Sequence, residues 1–214
     1  MKFFQTLLLS IWLCLSVNAA VASETYTMHI SHFMPRTSPT HKDFIKPWAD
    51  QIEKETNGRL KVKIHPAMSL GGAPSELVQQ ARSGAMNAIW TVVGYTPGQF
   101  PKTEVFELPL IAESSKAVVF SMAINDYYEA HLLDEYKDFH VILLHAHAAG
   151  GIHLRDKDVN KLEDMKNLKI RTPNRVIGKF LTEIGASPVA MPVPEIYEGL
   201  TYGMLDGVLT PFEV

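Results

Sequence analysis

Apolar residues along the chain switch between two periods. Tyr26, Met28 and Ile30 alternate with polar neighbours, as do Leu60, Val62 and Ile64, the signature of half-buried strands. Between them, after a polar loop from Pro35 to Pro39, Phe44, Ile45, Trp48 and Ile52 recur at spacings of three and four. That spacing predicts a helix reaching about Thr56, stopped by Asn57-Gly58 and kinked or delayed by Pro47. Gly71 to Glu76 predicts a turn into a helix over Leu77, Val78 and Ala81, ended by Gly84, and Ala85 to Val93 predicts an apolar strand. The order β-α-β-α-β is that of an open α/β sheet with helical crossovers. Glu113 to Tyr136 then predicts a long helix and Phe139 to His147 a nearly continuous apolar strand. After Gly150-Gly151 the pattern resumes, with strands over 151–155, 168–172, 187–191 and 206–210 and helices over 174–184 and 194–202. Two α/β lobes joined by a strand-like crossover make a cleft, and ligands of such sheets lie beyond the carboxyl ends of the strands.

The start of the chain changes the picture of where this protein works. Lys2 precedes an uncharged apolar run from Phe3 to Val17, and Ala20-Val21-Ala22 forms a small-residue cleavage site before Ser23, which together read as a secretory signal peptide cleaved after Ala22. The run is shorter than the ~20 residues of a spanning helix. Cys14, the sole cysteine, leaves with that leader, so the mature domain is expected to rely on its core, with no disulfide, thiolate metal site or cysteine nucleophile. Net charge is −3, and loss of Lys2 makes the mature chain one unit more acidic. That balance points away from nucleic acid and anionic membranes.

Candidate chemistry centres on Leu168-Lys169-Ile170-Arg171-Thr172-Pro173-Asn174. Arg171 stands at the end of an apolar strand, where a fixed guanidinium can give a carboxylate two parallel hydrogen bonds, and Pro173 ends the strand just before a helix. The plainer alternative is a surface arginine in a weak ion pair. His145, His147 and His153 raise the question of zinc, but no third ligand has a recognised spacing and no His-Glu-x-x-His helix is present. Gly71-Gly72-Ala73-Pro74 could offer backbone N–H groups to an anion or simply turn the chain. Glu104 and Glu107 give no reason to converge and read as solvated. No nucleophile elbow, phosphate loop or dinucleotide glycine pattern supports catalysis, and no cofactor is expected.

These blocks, with Asn57-Gly58-Arg59-Leu60, Leu70-Gly71-Gly72, Arg82-Ser83-Gly84, Phe106-Glu107-Leu108-Pro109, Gly185 to Val189, Met191 to Tyr197 and Leu205 to Val208, carry a resemblance over essentially the whole mature chain. The sequence resembles the solute-binding proteins of tripartite ATP-independent periplasmic (TRAP) transporters, of the dicarboxylate-binding-protein type. The resemblance implies a two-lobed periplasmic binding protein of α/β class, Venus-flytrap and type II-like, that is not an enzyme. It implies a periplasmic receptor that captures a small organic acid and delivers it to TRAP membrane permease subunits. It assigns 23–147 to the first lobe, 148–210 to an incomplete second lobe and 211–214 to a crossover back, in a chain truncated in its C-terminal third. By position it makes Arg171 the carboxylate clamp and puts Pro173, Asn174, Thr210, Val193, His32, Phe33, Trp90 and Thr91 around the cleft. Many members carry a second arginine about twenty residues before the clamp, where this chain has Gly151-Ile152-His153. One arginine beside Trp90, Phe33 and His153 suits a monocarboxylate with an apolar or aromatic body. A receptor for an ATP-driven importer or a sensor shares this architecture and is the main alternative, ahead of a metal-binding exported hydrolase.

Overall fold

The computed structural model describes residues 24–111 and 116–212. The predicted signal peptide therefore lies outside the described residues, as do Glu113 at the start of the predicted long helix and the last two residues.

Strands β1 (Tyr26–His32), β2 (Leu60–His65) and β3 (Ala88–Trp90) form a parallel sheet in the order β2-β1-β3, with Ile30 level with Ile64 and Ala88. Its first crossover is α1 (Lys46–Glu55), preceded by a π-helical turn over Thr40–Ile45. Pro47 accounts for that turn. It lacks an N–H and its ring crowds the turn before it, and a wider turn relieves both, with Lys46 N–H reaching back five residues to the His41 carbonyl. The second crossover ends in α2 (Leu77–Arg82), entered through a 3₁₀ turn at Pro74–Glu76.

The second sheet contains β4 (Gly151–Leu154), β5 (Lys169–Thr172), β6 (Ser187–Ala190) and β7 (Gly207–Thr210) in the order β4-β7-β5-β6. Its strands β5, β6 and β7 run parallel and β4 antiparallel. Met165, Leu168, Ile170, Leu181 and Ala186 form its core against α4 (Arg175–Glu183), while α5 (Ile196–Thr201) leads back to β7. A second core of Val78, Phe100, Leu132 and Tyr136 packs α2 to the chain beyond the first sheet.

Three predicted elements come out differently. The strand over 85–93 keeps pairing only at 88–90, because a 3₁₀ turn at Val93–Tyr95 bends the chain into the cleft. The long helix consists of α3 (Ala117–Tyr127) and a π turn at Tyr128–Leu132, followed by irregular turns. Residues 139–147 form no strand. Side chains of α3 replace a strand partner at two of these residues, since Asn125 bonds both the N–H and the carbonyl of Leu144, and Ser121 Oγ accepts from Ala146 N–H. Phe139, Val141 and Leu144 pack partly against the core beside α2, while Ile142 and Leu143 stay exposed. Among the described residues no helix is long and apolar enough to cross a membrane.

Candidate functional site

Arg171 sits near the carboxyl end of β5, and its side chain is 2% exposed. The guanidinium is held by backbone at the ends of the flanking strands. Nε donates to the Met191 carbonyl at 2.7 Å and Nη1 to the Leu209 carbonyl at 3.0 Å. Nη2 donates at 3.2 Å to the Tyr95 hydroxyl, which comes from the other lobe and also accepts from Val193 N–H at 3.1 Å. All three acceptors are formally neutral, and among the described residues no carboxylate pairs with Arg171. Burial pulls its pKa below the ordinary arginine value, opposed by Tyr95. A buried cation without a counter-ion is costly, and an incoming anion relieves that cost.

The turn after β5 is built by its polar residues. Asn174 is the N-cap of α4, its Oδ1 accepting from Ile177 N–H at 2.8 Å, and Thr172 Oγ1 donates to the Asn174 carbonyl. Pro173 and Asn174 line a cavity of about 250 Å³ between the lobes, together with Tyr95, Met191, Arg175 and Glu195. Arg171 lies immediately behind it, separated by its own partners Tyr95 and Met191.

Beside Arg171 runs an apolar wall made from both lobes. Phe33, Met34, Leu77 and Tyr95 are its buried members, and Trp90 and Val193 pack against them, Val193 from the second lobe. Phe33 lies 5.2 Å from the Trp90 ring and 5.3 Å from that of Tyr95. Four buried side-chain polar atoms among the described residues have no hydrogen-bond partner: His32 Nδ1, Thr91 Oγ1, Thr210 Oγ1 and Glu107 Oε2. The first three belong to predicted cleft residues. Unsatisfied polar groups are expensive and cluster where a ligand completes the network. His32 is fully buried, its Nε2 3.0 Å from His41 Nδ1, and burial followed by His41 lowers its pKa to about 4, so the ring is neutral. His153 is half-buried and turned to the chain beyond β7, its Nε2 3.1 Å from the Thr210 carbonyl and its ring edge-on to Phe212.

Two readings of the sequence are corrected here. Glu104 and Glu107 do converge, because the 3₁₀ turn Thr103–Glu107 places both against the start of α4. Arg175 bonds Glu104 at 2.6 Å, while Glu107 is pressed between Gly94 and Asn174. His145 and His147 do not share a strand face. His145 accepts from Trp90 Nε1 at 2.8 Å and stacks on that ring, whereas His147 contacts the neighbouring Ala148 carbonyl. Among the described residues no three His, Cys, Asp or Glu side chains gather to hold a metal. Glu76 folds back onto Ala73 N–H at 3.0 Å, so the Gly71-Gly72 turn is occupied by its own chain.

Tyr95 escaped the sequence reading. It sits in a three-residue turn without periodicity, and the available signal was an aromatic just past the carboxyl end of a parallel strand. Tyr95→Phe leaves the N–H groups of Arg171 and Val193 without their shared acceptor. We expect a loss of about 1–2 kcal/mol in denaturant unfolding, and an unchanged midpoint would show that the bridge contributes nothing.

Two α/β lobes with a cation buried where they meet give the two-lobed architecture of the periplasmic binding proteins. Residues 30–214 match the bacterial extracellular solute-binding protein family 7, and the chain belongs to that family. It is similar to a TRAP solute-binding protein of Rhodoferax ferrireducens solved with copurified benzoate, at 41% identity and TM-score 0.85 over 89% of this chain and 58% of that one. A marine-metagenome TRAP protein specific for aromatic acid ligands, solved with 3-hydroxybenzoate, is 39% identical with TM-score 0.85 over 89% of this chain and 59% of that one. A solute-binding protein of Albidiferax ferrireducens is 28% identical over 193 residues, 88% of this chain and 56% of the relative. The chain thus spans little more than half the length of these relatives.

Proposed function

We propose that this protein is a periplasmic receptor that captures an aromatic monocarboxylate between its lobes and hands it to a TRAP permease. The observation that carries this is the buried guanidinium of Arg171, which has no acidic partner among the described residues. Three of its five N–H groups make the bonds described, leaving two to face a carboxylate oxygen. The wall of Phe33, Trp90 and Val193 suits a flat apolar body, with Thr91, Thr210 and His32 contributing polar atoms around it and Pro173 and Asn174 closing the cavity side. His153 stands where many members have a second arginine, with its Nε2 turned to the Thr210 carbonyl. The aromatic acids of the similar structures fit this composition.

In this reading the lobes comprise 23–147 and 148–210, the leader is removed after Ala22, and hinges lie near Ala148 to Gly151 and Thr210 to Phe212. Closure expels water, which strengthens the charged hydrogen bonds at Arg171. A ligand stabilises the closed form only as far as it contacts that form better than the open one.

Calorimetric titration of the full-length protein with benzoate, 3-hydroxybenzoate and succinate tests the proposal. The aromatic acids are expected to bind at least about tenfold more tightly, the range set by one added or lost buried apolar contact. Tighter succinate binding would overturn the aromatic assignment.

A further inference from the structure

The contact between the lobes contains an ionisable group that the clamp does not use. Glu107 ends its 3₁₀ turn in the first lobe, and its carboxyl fills the space between Gly94 of that lobe and Asn174 of the second. A Cβ built on Gly94 would stand 2.4 Å from Glu107 Oε1 and 2.6 Å from Asn174 Cβ, so the three residues meet without slack. Glu107 Oε2 is shielded and has no hydrogen-bond partner.

The charges facing this carboxyl are unevenly placed. Glu104, on the same turn, opposes its ionisation, whereas Arg175 and the Asn174 amide at the start of α4 favour it. Arg175 is committed to Glu104 through Nε at 2.9 Å and Nη2 at 2.6 Å, and Lys179 on α4 also acts on Glu104. Tyr136, on the core side, is a buried phenol whose pKa is itself pushed up to about 12. Burial first, and Glu104 second, raise Glu107 to about 7.

We propose that the lobes close with a proton on Glu107, so that ligand capture takes up a proton and the interlobe contact weakens as the medium becomes alkaline. The ligand half of this statement rests on the receptor function proposed above, while the closure half rests on the contact alone. When the lobes part, the carboxyl returns to water and to its ordinary value of 4.5, whereas the closed form keeps its proton up to about 7. Closure is therefore favoured fully below the lower value, weakens as pH rises through the interval, and is constant above it.

Spin labels placed one on each lobe of the full-length protein read the closure directly by pulsed electron resonance between pH 5 and 8.5. The open fraction is expected to rise with pH in the wild type and to stay constant in Glu107→Gln, which keeps the shape without the charge. Glu104→Gln frees Arg175 to pair with Glu107 and should move the transition to lower pH. Benzoate titrations in buffers of different ionisation heat should show proton uptake near pH 6 in the wild type and none in Glu107→Gln. Wild-type affinity should fall roughly thirtyfold from pH 5.5 to pH 8. An open fraction independent of pH in the wild type, or the same dependence in Glu107→Gln, overturns the inference. Absence of benzoate binding in every variant counts against the receptor function instead, and the label distances still decide the proton linkage.

Discussion

Arg171→Lys is expected to cost about 2 kcal/mol of ligand-binding free energy, roughly thirtyfold in affinity, although the charge is formally retained. The guanidinium satisfies three acceptors in three directions and has two further N–H groups, which the proposed receptor function assigns to a carboxylate. An ammonium on a flexible stem has three donors from a single nitrogen. It cannot reach the Met191 and Leu209 carbonyls, the Tyr95 hydroxyl and a ligand together. It is also easier to neutralise when buried, so some of the charge the ligand requires is lost. Calorimetry with benzoate on the full-length protein measures the effect. Affinity equal to that of the wild type would remove Arg171 from the clamp.

Gly94→Ala is expected to prop the lobes apart. Gly94 is buried and does not have a positive φ, so alanine is conformationally acceptable there and any effect comes from contact alone. Its methyl group would fall 2.4 Å from the Glu107 carboxyl, which can swing away, and 2.6 Å from Asn174 Cβ, which cannot without moving the start of α4. Overpacking of this kind costs about 1–3 kcal/mol, here charged to the closed form. Small-angle scattering should show a larger radius of gyration with ligand present, and affinity should drop by about tenfold or more. An unchanged radius with unchanged affinity would mean that closure does not bring these residues together.

Much of this arrangement was legible in the sequence wherever a local rule governs the outcome. The strands β1 and β2, the three-and-four spacing of α1 and the helix beginning near Asn174 follow short-range rules, and the structure has them within a few residues, although β1 buries its last three residues rather than alternating. The place of Arg171 at the end of a strand was legible for the same reason, since Pro173 follows it and a helix begins just beyond. What escaped depends on residues distant in sequence. The fate of 139–147 is decided by Asn125 and Ser121, the burial of Glu107 by Gly94 and Asn174, and the role of Tyr95 by Arg171 and Val193. An apolar run does not say which of its residues will be covered or by what, and here Ile142 and Leu143 stay exposed while Leu144 turns to the core.

Two of the three oxygens that hold the Arg171 guanidinium belong to the main chain, at Met191 and Leu209. Carbonyls are present whatever side chain a position carries. Mutational drift at those two sites can therefore change the side chains around the guanidinium without removing the acceptors that aim it.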